Sequence, residues 1–241
     1  MILRIYLFIL AYFFLGAVAF FFINRKKTGK ESRQNWLKYS TYFLIIHVVF
    51  FSIVIHTDWF RVLGLLIILI GWLELIHVHK QSGKGPSVFY FVSLFLYLVF
   101  SLGFFSFGKL PKETILFTFL VLSIFDAFSQ LSGQLVGRHQ LFPRVSPAKT
   151  LEGLVGGLLF AMGSAVLLRT ITGKSVEETL GMAGGIVAFS FAGDFLASMY
   201  KRNHGVKDFS RLLPGQGGFL DRFDSLVAGG SFMALYAAFC P

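Results

Sequence analysis

The chain has 241 residues and a mean hydropathy of +0.71, with 55% hydrophobic and only 14% charged residues. Soluble domains carry about 25% charged residues, so this composition excludes intrinsic disorder, a disulfide scaffold and an ordinary cytosolic enzyme. Together with a formal net charge of +10, it predicts a basic, polytopic membrane protein.

Eight apolar runs follow one another along the chain, each approaching the roughly 20 residues that a helix needs to cross a bilayer. The runs are continuously apolar and lack the alternation of barrel strands, which predicts an all-α bundle of about eight transmembrane helices. The fifth and sixth runs are short, so we expect them to be either lengthened by flanking residues or broken around a cavity. The predicted spans are Ile2–Ile23, Trp36–Ile55, Trp59–Val78, Val88–Phe107, Thr114–Phe128, Leu154–Leu168, Leu180–Tyr200 and Phe223–Phe239.

The basic residues alternate from loop to loop. Sixteen of the 22 Lys and Arg residues fall in the connections after the first, third, fifth and seventh spans. Cytoplasmic loops are enriched in Lys and Arg, so we predict that these connections face the cytoplasm and that both termini face outward in the cytoplasmic (inner) membrane. The positive charge then reflects orientation and affinity for anionic headgroups, and it does not indicate nucleic acid binding.

Two predicted cytoplasmic loops, Ser129–Gly153 and Lys201–Arg222, are longer than the other connections and hold seven of the 25 glycines. Glycine lets backbone amides approach a ligand closely and form anion-binding nests. We therefore predict an anionic, phosphorylated ligand at these loops. The chain is interpreted as one membrane domain with N-terminal transmembrane helices over 1–125 and a catalytic region over 126–241.

Five of the twelve acidic residues lie inside or at the mouth of predicted spans. An unpaired ionisable group at membrane depth costs at least a few kcal/mol, so each is a candidate functional residue. For Glu74, an ion pair with a Lys or Arg on a neighbouring helix is an open alternative. Carboxylates mixed with cations and glycine amides are what a Mg²⁺–polyphosphate site requires. The five acids are Glu74, Asp126, Asp194, Asp221 and Asp224.

Two cytoplasmic blocks carry a family resemblance that covers about Asp126–Ser225. The first block consists of Gly137-Arg138-His139 and Ser146-Pro147-Ala148-Lys149-Thr150-Leu151-Glu152-Gly153. The second consists of Gly193-Asp194, Ser198, Lys201-Arg202, Lys207-Asp208, Leu213-Pro214-Gly215-Gln216-Gly217-Gly218 and Asp221-Arg222-Phe223-Asp224. Both blocks resemble the signatures of the phosphatidate cytidylyltransferases (CDP-diacylglycerol synthases), and Asp126 stands where that family carries an Asp ahead of the first block.

The resemblance implies a reaction of phospholipid biosynthesis in which CTP and phosphatidate give CDP-diacylglycerol and pyrophosphate. It also implies Mg²⁺, with a second cation left open, bound by Asp194 and Asp221, while Asp224 holds a neighbouring ion or orients Arg222. Catalytic and phosphate-binding roles are implied for Lys201, Arg202, Lys207, Asp208 and Arg222. Substrate-binding roles are implied for Ser146, Lys149, Thr150, Ser198, Gln216, Gly217 and Gly218, with Asp126 and Glu152 as further candidates.

Two positions depart from the family pattern. Gln216 stands where the pattern has His, and Gln can hydrogen-bond but cannot become cationic. Tyr200 stands where the pattern prefers an aliphatic residue. The open alternatives are a cytidylyltransferase or CTP-dependent kinase for a polyprenyl or archaeal-type lipid, a pseudoenzyme, and a transporter, although a transporter predicts matching acids in both halves. Membrane lipids are the expected surroundings, and a homodimer is left open.

Overall fold

A computed structural model describes residues 2–25, 28–213 and 217–240. Within them, eight α-helices form one bundle, which confirms the predicted polytopic helical architecture. A short antiparallel hairpin between the fifth and sixth helices is a small departure from an all-helical fold. The helices are α1 Ile2–Asn24, α2 Gly29–Ile55, α3 Thr57–Gln81, α4 Val88–Phe107, α5 Lys112–Val136, α6 Leu151–Leu168, α7 Val176–Asn203 and α8 Leu220–Phe239, and the strands are β1 Gln140–Phe142 and β2 Ser146–Thr150.

Seven of these helices, α1 to α7, are long and apolar enough to cross a membrane. The eighth, α8, has 20 residues, but three of its first five are charged: Asp221, Arg222 and Asp224. The rest of α8 is apolar and packs between α4 and α7. Its charged first turns therefore lie at one end of the bundle, while its apolar body belongs to the core.

The fifth span is one continuous helix of 25 residues, so the expectation of a broken helix there is wrong. Flanking residues lengthen the helix at both ends, which is the alternative that the sequence left open. Small residues on α6 let this helix pack close to α5: a Cβ atom added at Gly157 would lie 2.8 Å from the Phe125 carbonyl oxygen. Close backbone approach at small residues is a common means of helix association in membranes.

The first predicted loop is too long at both ends, because α5 continues to Val136 and α6 begins at Leu151. The intervening residues form the β1–β2 hairpin, in which Phe142 pairs with Ser146. Thr150 ends the hairpin and caps α6, since its hydroxyl accepts a hydrogen bond from the Gly153 amide at 3.1 Å. The hairpin is thus held at a fixed position above the start of α6.

The second predicted loop is also too long, because α7 continues to Asn203 and α8 begins at Leu220. The chain reverses after α7 at Gly205, whose φ of +74° suits glycine. Farther along, the Leu213 amide donates to the Gly217 carbonyl at 2.9 Å. Residues 214–216, between these two partners, lie outside the described residues.

Six helix ends meet at one end of the bundle, which we call the site end: the last turns of α3, α5 and α7 and the first turns of α4, α6 and α8. The contacts that join them include a 3.2 Å hydrogen bond between His79 and His204 and stacking of Phe89 on Tyr200. The described residues of the two motif blocks lie at this end.

Candidate functional site

The hairpin contacts α7 through an ion pair. Lys149 on β2 places its Nζ atom 2.8 Å from Oδ2 of Asp194 on α7. The same ammonium group lies 4.5 Å from the centroid of the Phe191 ring, and Phe142 of β1 packs on Phe195 at 4.4 Å. The two sequence blocks, which are separate along the chain, therefore meet at Lys149 and Asp194.

Arg202 makes a second connection between the blocks. Its Nε atom donates to the Val145 carbonyl in the hairpin turn at 3.0 Å, and its Nη1 atom donates to the Val206 carbonyl at 2.8 Å. Ser198, one helical turn from Asp194, is buried and its hydroxyl lies 3.5 Å from Asp194 Oδ1. Arg202 thus uses two of its donors on backbone oxygens and has others left for a ligand.

Glu152 fixes the shape of the hairpin. Its Oε2 atom accepts hydrogen bonds from the amides of Arg138 and His139 at 3.0 and 3.2 Å, and its Oε1 atom lies 2.6 Å from His139 Nδ1. Ser146 is half-buried at the start of β2 and Thr150 is occupied as the α6 cap. Within the first block, Lys149 and Ser146 are therefore the predicted residues best placed to meet a ligand.

Asp221 is buried and its two oxygens have different partners. Oδ1 forms an ion pair with Lys201, which is also buried and lies 5.1 Å from the centroid of Phe209. Oδ2 accepts from the Phe209 amide at 2.9 Å and from the Gly218 amide at 2.7 Å. The Gly218 amide is thus bonded to Asp221, and its role as an amide donor to phosphate stays a prediction.

The sequence leaves two alternatives open for Glu74: an ion pair with a Lys or Arg residue, or a role in the functional site. Among the described residues Glu74 forms no ion pair, and its carboxylate is instead bonded to neutral donors. Oε1 accepts from the Ser210 hydroxyl at 2.6 Å and the Phe219 amide at 2.8 Å, and Oε2 accepts from the Leu220 amide at 2.6 Å. The expectation of a cationic partner is therefore wrong.

Asp126 and Asp224 lie within electrostatic range of Asp194. Asp126 and Asp224 each interact electrostatically with both Asp194 and Arg222. Asp224 Oδ1 accepts from the Ser225 amide at 2.7 Å, whereas its buried Oδ2 has no hydrogen-bond partner among the described residues. An unsatisfied carboxylate oxygen beside other carboxylates is a good acceptor for a cation.

Lys207, Asp208 and Arg222 are exposed at the site end. Within the described part of the chain, neither Lys207 nor Arg222 lies within ion-pair distance of a carboxylate. Their charges are therefore available to an anionic ligand. Gln216, the departure from the family pattern, lies outside the described residues, and Gly217 adopts a φ of +89° beside Asp208.

Tyr200, the other departure, is buried and its hydroxyl donates to the Leu75 carbonyl on α3 at 2.8 Å. His204, one turn later, is buried beside it and contacts His79. Burial lowers the pKa of His204, opposed by its bond to the Tyr200 carbonyl and assisted by His79 and Lys84. Sequence reasoning missed this link between α3 and α7, because isolated histidines and one tyrosine carry no recognisable spacing.

The fold and the charged residues together define a polytopic membrane protein that gathers cations and carboxylates at one end of its helix bundle. The sequence model of the cytidylyltransferase family matches residues 1–240. The chain belongs to the cytidylyltransferase family, which confirms the resemblance drawn from its motifs.

Curated relatives named phosphatidate cytidylyltransferase match this chain over part of its length. The protein of Haemophilus influenzae is 37% identical over 131 residues, which are 52% of this chain and 46% of the relative. The protein of Staphylococcus saprophyticus is 41% identical over 115 residues, which are 47% of this chain and 44% of the relative. The protein of Staphylococcus aureus strain COL matches to the same extent. In these matches the chain spans about half the length of its relatives.

Proposed function

We propose that this protein transfers the cytidylyl group of CTP to a lipid phosphate, phosphatidate, and so forms CDP-diacylglycerol and pyrophosphate. One observation carries the proposal: the Lys149–Asp194 and Lys201–Asp221 pairs gather cations and carboxylates from both motif blocks at one end of the bundle. Family membership and the names of the relatives support the choice of CTP and phosphatidate.

The chemistry requires alignment and charge neutralisation more than acid–base catalysis. An oxygen of the lipid phosphate forms a bond to the α-phosphorus of CTP, and the bond between this phosphorus and the bridging oxygen to the β-phosphate breaks. The electron pair leaves with pyrophosphate. Because the attacking oxygen is already anionic near pH 7, no general base is needed, but two polyanions must be held together.

The two lysine–carboxylate pairs are suited to an exchange of partners. When CTP binds, Lys149 and Lys201 would move from Asp194 and Asp221 to phosphate oxygens, and the carboxylates would turn to a cation. Asp221 can do this with Oδ1 alone, because the amides of Phe209 and Gly218 hold Oδ2. The exposed Arg222 and Lys207 would neutralise further phosphate oxygens.

The residues fit a Mg²⁺ ion. Mg²⁺ commonly binds one or two protein carboxylates together with substrate phosphates, so it does not need a cluster of three protein ligands, and the described residues contain no such cluster. Asp194 would supply one carboxylate ligand, and either Asp221 through Oδ1 or Asp224 through its unpartnered Oδ2 would supply the second. When bound, Mg²⁺ withdraws charge from the phosphate oxygens of CTP and makes the α-phosphorus more electrophilic.

We place the site end on the cytoplasmic side, where CTP is available, because the connections on this side, including the one between α1 and α2, hold most of the Lys and Arg residues. The lipid phosphate would reach the site from the inner leaflet while its acyl chains remain in the bilayer beside the helices. A location at the end of the bundle thus lets one site receive a water-soluble and a membrane-bound substrate.

The experiment that tests this proposal follows two phosphorus labels. Purified protein in detergent with Mg²⁺ receives either α-³²P-CTP or γ-³²P-CTP and a panel of lipid acceptors: phosphatidate, polyprenyl phosphate, an archaeal-type ether lipid phosphate and a polyprenol. We expect the α-label, and not the γ-label, in a phosphatidate-derived lipid. Transfer of the γ-label would show a CTP-dependent kinase, and no transfer to any acceptor would refute the proposal.

A further inference from the structure

Glu74 is a buried acidic residue to which the proposed reaction assigns no role. It lies on α3, outside the region that carries the family motifs, and its side chain is buried at 4% exposure. All three of its hydrogen-bond donors belong to the motif region: Ser210, Phe219 and Leu220. A buried carboxylate with no cationic partner among the described residues is costly, and it persists where such donors satisfy it.

Glu74 provides the cap that the start of α8 lacks. The first amides of a helix have no partner within the helix, and Phe219 at the N-cap position of α8 makes no side-chain cap. The Phe219 and Leu220 amides instead donate to the two oxygens of Glu74. A negative charge at this position also complements the positive end of the helix dipole.

Glu74 also fixes the chain just before α8. A Cβ atom added at Gly218 would lie 2.8 Å from Glu74 Oε1 and 2.9 Å from Asp221 Oδ2, so the backbone passes between two carboxylates. Because Asp221 and Asp224 lie in the first turns of α8, the position of Glu74 determines where these groups stand. The Ser210 hydroxyl ties the preceding segment to the same carboxylate.

We propose that Glu74 is a positioning residue that caps α8 from another helix and thereby sets the geometry of the carboxylates at the start of α8. It does not contact substrate. The expected effect of Glu74 on catalysis rests on the proposed function. The expected effect of Glu74 on the placement of Asp221 and Asp224, and so on the binding of a divalent cation, does not.

The test compares Glu74→Gln with Glu177→Gln, the same substitution at an exposed acid in the first turn of α7, far from the site end. In Glu74→Gln the new side-chain amide nitrogen would face a backbone N–H, so the cap is broken with little change in size. We expect kcat to fall about twentyfold or more, with a smaller change in KM for phosphatidate. The affinity for Mn²⁺ in the presence of CTP, measured by electron paramagnetic resonance on folded protein, should fall about tenfold.

Two further variants separate positioning from mere folding. Glu74→Asp retains the charge and should recover part of both losses. Ser210→Ala removes one of the three donors and should give smaller losses in the same direction, and it serves if Glu74→Gln does not fold. Wild-type kcat and Mn²⁺ affinity in folded Glu74→Gln would overturn the proposal, as would losses that only follow the fraction of folded protein. The Mn²⁺ measurement holds even if the wild-type protein transfers no cytidylyl group, so the two proposals can fail separately.

Discussion

Glu74 and Asp194 are both acids within helices of the bundle, and their partners differ in kind. Glu74 is bonded to two backbone amides and a hydroxyl, which are fixed by the fold. Asp194 is paired with the ammonium of Lys149, a side-chain cation that a phosphate group can attract away. The partner of a carboxylate therefore separates a structural role from a ligand-binding role: neutral backbone donors indicate positioning, and a lysine indicates exchange with a ligand.

The first prediction concerns Asp194→Asn, which should remove a cation ligand without disturbing the fold. We expect activity to fall about 10³-fold, because the charge on the reacting phosphates is no longer neutralised through this carboxylate. The melting temperature should change little, since the Asp194 side chain is 38% exposed and a solvent-accessible carboxylate contributes little to stability. The label-transfer assay and thermal unfolding in detergent check the two parts. Asp58→Asn, an exposed acid at the other end of the bundle, is the matched control, and equal losses in both variants would contradict the assignment.

The second prediction compares two lysines. Lys201→Met leaves the buried Asp221 without its cation and should lower the free energy of unfolding by about 3 kcal/mol. Lys149→Met leaves a carboxylate that water can reach and should cost less than about 1 kcal/mol. Denaturant unfolding followed by tryptophan fluorescence measures both. Equal stability of the two variants would contradict the prediction that the more buried Lys201–Asp221 pair contributes more to the free energy of unfolding.

The third prediction tests the passage of the chain between two carboxylates. Gly218→Ala introduces a Cβ atom that would lie 2.8 Å from both Glu74 Oε1 and the Ser210 amide nitrogen. The resulting shift should cost about 2 kcal/mol of stability and reduce activity through displacement of Asp221. Gly181→Ala serves as control, because nothing lies within 4 Å of a Cβ atom added there. Full activity in Gly218→Ala would contradict the prediction, because it would mean that the backbone at residue 218 can shift without displacing Asp221.

The smallest predicted effect concerns pH. Burial lowers the pKa of His204 below its ordinary value, so the unfolded chain binds the proton more readily than the folded one. Stability from this group is present above the ordinary histidine pKa of about 6.5 and is lost as the pH falls toward the folded-state pKa. The melting temperature should therefore drop by a few degrees below about pH 6, and His204→Gln should weaken this dependence. An unchanged pH dependence in the variant would assign it to other groups.

Much of the fold follows from hydropathy alone, because a long apolar run in a membrane protein has few alternatives to a helix. The ends of the helices are harder to predict from the sequence. Ser129–Val136 is polar enough to suggest a loop, yet it continues α5, where its serines contact the glycines of α6. Only the packing of the two helices, and not the local sequence, reveals this.

At the site, too, some features can be predicted from the sequence and others cannot. The residue types at the site end could be predicted from the motifs, and the structure brings Lys149 to Asp194 and Lys201 to Asp221. The partners of Glu74 could not, because they lie 136 to 146 residues away along the chain and two of them are backbone amides. Backbone donors leave no mark in the side-chain pattern, so the sequence suggests only a cationic partner or a place in the functional site for Glu74.

The partner exchange at Asp194 is tested most directly by two affinities in Lys149→Met, measured beside the wild-type protein. Removing the lysine frees the carboxylate, so Mn²⁺ alone should bind more tightly, as seen by electron paramagnetic resonance. The same change removes a phosphate partner, so CTP should bind more weakly, as seen by calorimetry. Opposite shifts of about threefold or more in the two affinities are the predicted result. Shifts in the same direction, or no shift in either, would contradict the account.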